Sequence, residues 1–198
     1  MSDTLFTVGH STHSTAHFIA LLQRHGVEAV VDVRSVPHSA YNPQFNRDAL
    51  QKSLRDNAIQ YVFLGRELGA RSDNPACYVD GKVQFKLLAA QPLFARGIER
   101  LRRGMAQYRV AIMCAEKDPL TCHRMILVCR RMRALASIQH ILDDGALESH
   151  AHAERRLREK LGIHADLLRD EKQSIEDAYD AQGRRMGYAK KTPGDDSG

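Results

Sequence analysis

The sequence predicts an α/β fold, and three observations carry that prediction. Five short apolar runs recur along the chain, they are largely unalternated as strands buried on both faces are, and helical patterns lie between them. Strand and helix in alternation imply right-handed crossovers with helices on both faces, a Rossmann-like three-layer domain with a mostly parallel sheet. The length of 198 residues suits one such unit, since domains commonly run to about 100–200 residues.

Taken in order, "LFTV" (5–8) is the first strand. Ser14 stands ready to cap the following helix, whose Phe18, Leu21, Leu22 and His25 share a face before a closing Gly26. "AVVDV" (29–33) is the second strand, Leu50 and Leu54 mark a helix capped by Asn46, and "YVFL" (61–64) is the third strand. A longer helix starts at Pro92 and aligns Phe94, Ile98, Leu101 and Met105. "VAIMCA" (110–115) is the fourth strand, a helix opens at Asp118 and Pro119, and "IQHIL" (138–142) is the fifth strand. The α/β domain is expected over 1–147. A charged, partly helical C-terminal extension follows over 148–198, with Leu157, Leu161, Leu167 and Leu168 as sparse apolar positions and a mobile end from "GRRMGYAKK" onward.

Composition excludes more than it identifies. A hydrophobic share of 43% and a charged share of 27% are those of a folded chain. The net charge of +5 leans toward phosphate-bearing partners, an anionic small molecule or nucleic acid, but basic residues are interleaved with acids. The amino terminus has no signal-peptide pattern and no apolar run could span a bilayer, so the expectation is a cytoplasmic protein with no membrane partner. A homo-oligomer is compatible with all of this. In a reducing compartment the four cysteines are thiols, ligands or core fillers rather than disulfides. Neither a G-x4-G-K-[ST] phosphate loop, a G-x-G-x-x-G turn nor a G-x-S-x-G elbow is present.

In a parallel sheet, ligands bind beyond the carboxyl ends of the strands, and the reactive residues fall there. The first strand runs into Gly9, His10 and Ser11, the second ends in Asp32 and Arg34, the third in Gly65 and Arg66, and the fourth in Cys114 and Glu116. The stretch "MCAEKDPLTCHRM" (113–125) reads as strand end, tight loop and helix start, with Cys122 and His123 in the first helical turn, where free amides favour a thiolate or an anion. The bland readings are polar turn residues and ordinary Arg–carboxylate pairs. Cys129, near Met125 and Met132, reads as core, and Cys77 as incidental.

With "TVGHST", "VDVRSVPHS", "LGRELGA" and "MCAEKDPLTCHR" in this order, the chain resembles the domain of unknown function 488 family of prokaryotic proteins over about residues 5–142. The resemblance implies an α/β domain whose motif residues line one cleft, and it brings no activity. It carries over Gly9, His10, Ser11, Asp32, Arg34, Pro37, Ser39, Gly65, Leu68, Gly69, Cys114, Glu116, Cys122, His123 and Arg124. Ala40 stands where many relatives have arginine, which weakens a multi-arginine phosphate clamp, and Ala70 replaces a second glycine.

The functional expectation is an enzyme acting on an anionic, phosphate-bearing substrate, with nucleotides and nucleic acid among the candidates. His10, Asp32, Arg34, Cys114, Glu116, Cys122 and His123 are its candidate catalytic residues, and Gly9, Ser11, Ser39, Gly65, Arg66 and Arg124 its candidate substrate-binding ones. No cofactor is assigned. One alternative is a metal site of Cys114, Cys122, His123 and His10, and another is a non-catalytic nucleotide or nucleic-acid binding module.

Overall fold

The computed structural model describes residues 4–164 and 170–189. Its frame is a six-stranded sheet of β1 (Thr4–Gly9), β2 (Ala29–Asp32), β3 (Gln60–Phe63), β6 (Val110–Cys114), β7 (Ser137–Ile141) and β8 (Leu147–Ser149). The order is β3-β2-β6-β1-β7-β8, parallel except for the antiparallel β7–β8 pair, and β4 (Tyr78–Val79) with β5 (Lys82–Val83) forms a separate hairpin. All five apolar runs are strands of the sheet. β8 escaped the sequence reading because three residues carry no legible period, and the division expected at 147 falls inside it.

Side-chain alternation splits the core into the two faces of a three-layer fold. Phe6, Val8, Val30, Ala111 and Met113 pack with Phe18 and Leu22 of α1 (Thr15–Arg24) and with Leu50 and Leu54 of α2 (Arg47–Asp56). Leu5, Val31, Ile112 and Cys114 face the larger cluster on the other side. That cluster takes in α3 (Gly65–Leu68), α4 (Phe85–Ala89), α5 (Pro92–Met105) and a π-helical segment, Arg124–Cys129, that runs on into α6 (Arg130–Met132). It also takes in α7 (His150–Leu161) and α8 (Glu171–Met186), so the charged C-terminal region packs on the sheet through Ala153, Leu157, Ala178 and Tyr179. Each apolar side chain that α5 buries, at Phe94, Ile98, Leu101 and Met105, is worth about 1.5–3 kcal/mol.

Ser14 caps α1 by accepting the His17 amide. Asn46 stands at the start of α2, but its side chain accepts the Ser39 amide instead, binding the loop after β2 to that helix. Leu167 and Leu168 lie outside the described residues, as does the expected mobile end from residue 190 onward, but the first part of that end, 183–186, is instead the last turn of α8, with Gly183 buried. Among the described residues no helix is long and apolar enough to cross a membrane.

Register sets the carboxyl edge. Gly9 pairs with Cys114, and Asp32 with Met113, so β1, β2 and β6 end at one level and release their loops toward one another.

Candidate functional site

After β6 the chain turns back against β1. The amides of His10 and Ser11 donate to the carbonyls of Cys114 and Ala115. A Cβ on Gly9 would stand 2.0 Å from the Glu116 carbonyl oxygen, so only glycine lets the two backbones approach this closely. The loop then makes a short 3-10 turn, Pro119–Thr121, capped by Asp118, which accepts the Leu120 amide. Cys122 therefore does not lie in the first turn of a helix that opens at Pro119. It is extended, at φ −127° and ψ 136°, and acts as the cap of the next helix. Its carbonyl accepts the Met125 and Ile126 amides, and its Sγ lies 3.4 Å from the Arg124 amide that points at it. The thiol fills the place of an ordinary capping oxygen.

Four donors converge at this point. Cys114 Sγ and Cys122 Sγ each stand 2.9 Å from the same Glu116 oxygen, and His123 Nδ1 is 3.6 Å from Cys114 Sγ. One ligating atom from each of the four lies within 4.8 Å of the others. The second nitrogen of His123 bonds the Val33 carbonyl at 2.9 Å, which fixes the ring and leaves Nδ1 facing the sulfurs.

Fully buried Arg124 holds the loop from behind by donating to the Glu116 and Lys117 carbonyls. Burial opposes a charge on every member, and its effects diverge. It pushes the Cys114 thiol well up, helped by Cys122 and Glu116, and it raises the Glu116 carboxyl, helped by Cys122. For Cys122 burial is outweighed by the Cys114 hydrogen bond, the Arg124 charge and His123, which together hold it well below a free thiol. His123 is raised despite its burial, through Cys122 and the Val33 carbonyl. The two sulfurs are thus driven in opposite directions.

A second buried column adjoins the cluster. Asp32 accepts Arg34 Nε at 2.9 Å, Arg34 Nη2 at 2.7 Å and Tyr61 Oη at 2.8 Å. Arg34 also donates to the Phe45 carbonyl, and its Nη1 meets His10 Nε2 at 3.1 Å. His10 Nδ1 bonds the Ser11 carbonyl while the ring stacks on Phe45. Burial lowers the His10 pKa to about 4, so the ring is neutral, with its Nδ1–H donating and its Nε2 accepting from Arg34.

The cleft above is a cavity of about 800 Å³. Cys114, Glu116, His123, His10 and Arg34 line its inner part, with Lys117, Arg71, His38 and Tyr188 farther along its wall.

The structure brings His10, Ser11, Arg34, Ser39, Cys114, Glu116 and His123 to this cleft, with Cys122 directly beneath. The remaining candidates stand differently. Asp32 is wholly buried, and its carboxylate accepts from Arg34 and Tyr61. Arg124 gives Nη1 and Nη2 to backbone carbonyls and keeps a buried Nε without a partner, Arg66 is exposed outside the cleft, and Gly65 is required because a Cβ would lie 2.0 Å from the Arg34 carbonyl. Ser39 orders its own loop, accepting the Asn42 amide. Sequence reasoning missed Tyr61 and Phe45, which orient the column, and Arg71 and Tyr188, which reach the cleft from distant segments. His38 sat visibly beside Ser39 in "VPHS" and could have been found.

Fold and site together define an α/β protein in which two cysteines, a histidine and a glutamate cluster beneath a cleft at the strand carboxyl edge. Residues 14–130 match the family described as Domain of unknown function DUF488. The chain belongs to that family. No curated protein and no solved structure is similar enough to match it.

Proposed function

We propose that the protein is a metal-dependent enzyme in which Cys114, Glu116, Cys122 and His123 hold a divalent ion of the zinc or iron class at the inner end of the cleft. The observation that carries this reading is the convergence of four donor atoms within 4.8 Å, with the far nitrogen of His123 anchored on a carbonyl. Metal-binding histidines are oriented in this way, and Cys, His and carboxylate donors suit zinc and ferrous iron. A buried thiolate beside two proton-retaining acids is poorly balanced on its own. A divalent cation would displace the protons of Cys114 and Glu116 and, together with the Arg124 guanidinium, balance the three anionic ligands.

An ion held here supplies Lewis-acid polarisation or a water of lowered pKa. The chain supplies the rest. Neutral His10, fixed by Arg34, presents a rigid polar wall, and Lys117 and Arg71 give the cleft cationic character suited to a small anionic, phosphate-bearing substrate. Arg34 is held by Asp32 and Arg124 by backbone carbonyls, so recognition falls to Arg71 and to Lys117, whose solvent-exposed ion pair with Asp143 can open toward a substrate. A thiol-enzyme reading has one observation of its own, the Cys122 sulfur held toward thiolate by the Arg124 amide and charge.

Metal analysis of protein purified without added metal, followed by cobalt(II) substitution, separates the two readings. The metal centre requires one bound equivalent and an intense near-ultraviolet sulfur-to-cobalt band, both lost in Cys122→Ser and in His123→Ala. A folded protein that binds no ion, with Cys122 freely alkylated, would leave only thiol chemistry.

A further inference from the structure

Away from the cleft, the β7–β8 turn and the start of α1 bring three donors together on the surface. His13 Nε2 is 3.2 Å from Asp143 Oδ1, and His17 Nε2 is 3.0 Å from the Asp143 carbonyl. The two imidazoles lie with centroids 4.7 Å apart, and one atom from each of the three side chains falls within 4.8 Å of the others. We propose that His13, His17 and Asp143 form a second divalent-metal site, a two-histidine, one-carboxylate set open to solvent on its outer side.

Three features support it. The donors are preorganised from both ends of the sequence. The His13 amide bonds the His10 carbonyl, the His13 carbonyl accepts Gln44 Nε2, and His17 is fixed by the helix that Ser14 caps. His13 and His17, four apart, turn their Nε2 atoms to the same aspartate, as two ligands on one side of a helix start would. A cation already occupies the other carboxylate oxygen, since Lys117 Nζ meets Asp143 Oδ2 at 2.5 Å. The Asp143 carboxylate therefore attracts positive charge, and the ammonium competes with an ion for it. The positive end of α1 opposes an ion there only weakly, a screened surface effect that the Asp143 carboxylate outweighs. Imidazole nitrogens with one carboxylate suit zinc, nickel or copper, and calcium or magnesium poorly. A bound ion would tie the β7–β8 turn to α1.

The site is independent of the cysteine centre, and zinc titration of the full chain against a chromophoric chelator can tell them apart. Wild type should bind two equivalents. His13→Gln with His17→Gln should lose one of them while keeping the wild-type melting curve, and Asp143→Asn should weaken the same site by roughly tenfold or more. Lys117→Met should tighten it, because the competing ammonium is gone. That sign is opposite to what a purely structural ion-pair cluster would give. Unchanged stoichiometry and affinity in the double histidine variant, or no tightening in Lys117→Met, would overturn the proposal. Cys114→Ser with Cys122→Ser should remove only the other equivalent. If it removes none while the histidine variant loses one, the surface site stands and the cysteine centre falls.

Discussion

At the residue scale, one of the two tightest approaches is between two backbones. Gly9 passes so near the Glu116 carbonyl that an added Cβ would also sit 2.9 Å from its carbon and 3.2 Å from Lys117 Cα, all main-chain atoms that cannot rotate away. Gly9→Ala should push the 115–117 loop outward. The expected cost is about 1–3 kcal/mol, as for other overpacked sites. Because Glu116 hangs from that loop, bound metal should fall with it, and denaturant unfolding alongside metal analysis of the folded fraction would show both. An alanine variant of wild-type stability and metal content would remove Gly9 from the positioning of the cluster. Arg34 carries a similar lesson. Its charge is satisfied by Asp32 before any substrate arrives, as the Arg–carboxylate reading of the second motif allowed, whereas Tyr61 and Phe45, which complete the arrangement, come from elements beyond the motif.

At the scale of the element, the helix after Cys122 explains how one chain segment makes both a reactive and an inert thiol. Residues 124–129 follow a π-type path, a distortion frequent at functional sites, and every residue in it is buried. Cys122 caps this segment with its sulfur on a helix amide, whereas Cys129 at its far end lies among apolar neighbours, where burial pushes its thiol far up. In metal-free protein at neutral pH, Cys122 should therefore be alkylated ahead of Cys129, and zinc should protect Cys122 while leaving Cys129 unchanged. Peptide mass spectrometry of competitively labelled protein measures it, and equal rates in the folded state would refute the thiolate assignment. The same segment shows what was legible. The loop, the Asp118 cap and the approach of the two sulfurs beside His123 could be read from one stretch of sequence, because strand end and helix start are local properties, but the expected metal set took His10 where the fourth donor is Glu116. The extended break at Cys122 did not, since it depends on the loop being held from behind by Arg124 and on His123 reaching across to Val33. Likewise the five long strands could be read from their apolar runs, while β4, β5 and β8, two or three residues each, could not.

Across the whole molecule, a buried polar chain joins the C-terminal helices to the sheet. Tyr179 in α8 donates to Glu154 in α7, so its oxygen accepts from His150 Nε2 at 2.9 Å, and His150 Nδ1 then accepts from His140 Nε2 at 3.0 Å. His140 Nδ1 in turn accepts the Thr7 hydroxyl of β1 at 2.8 Å. Each ring carries one proton in this arrangement. A second proton on His150 Nδ1 would face the His140 Nε2–H, donor against donor, and burial also lowers both rings, His140 well below its usual value and His150 from 6.5 to about 4. His10 behaves alike, falling from 6.5 to about 4. These histidines are neutral in both folded and unfolded chains at pH 7.5, so they give stability no slope there. As pH drops below 6.5 the unfolded chain takes up protons that the folded one refuses, and stability is lost progressively down to about pH 4. A shift from 6.5 to about 4 corresponds to roughly 3 kcal/mol for His10 and again for His150. Because two of the three rings lie where α7 and α8 join the sheet, acid should loosen those helices before the β1–β2–β6 core. Hydrogen exchange at pH 7 and pH 5 would locate the opening, and urea unfolding over the same range would give its size. Stability that stays flat from pH 7 to pH 4.5, or protection lost first in the sheet, would mean that this chain does not couple the C-terminal helices to protonation.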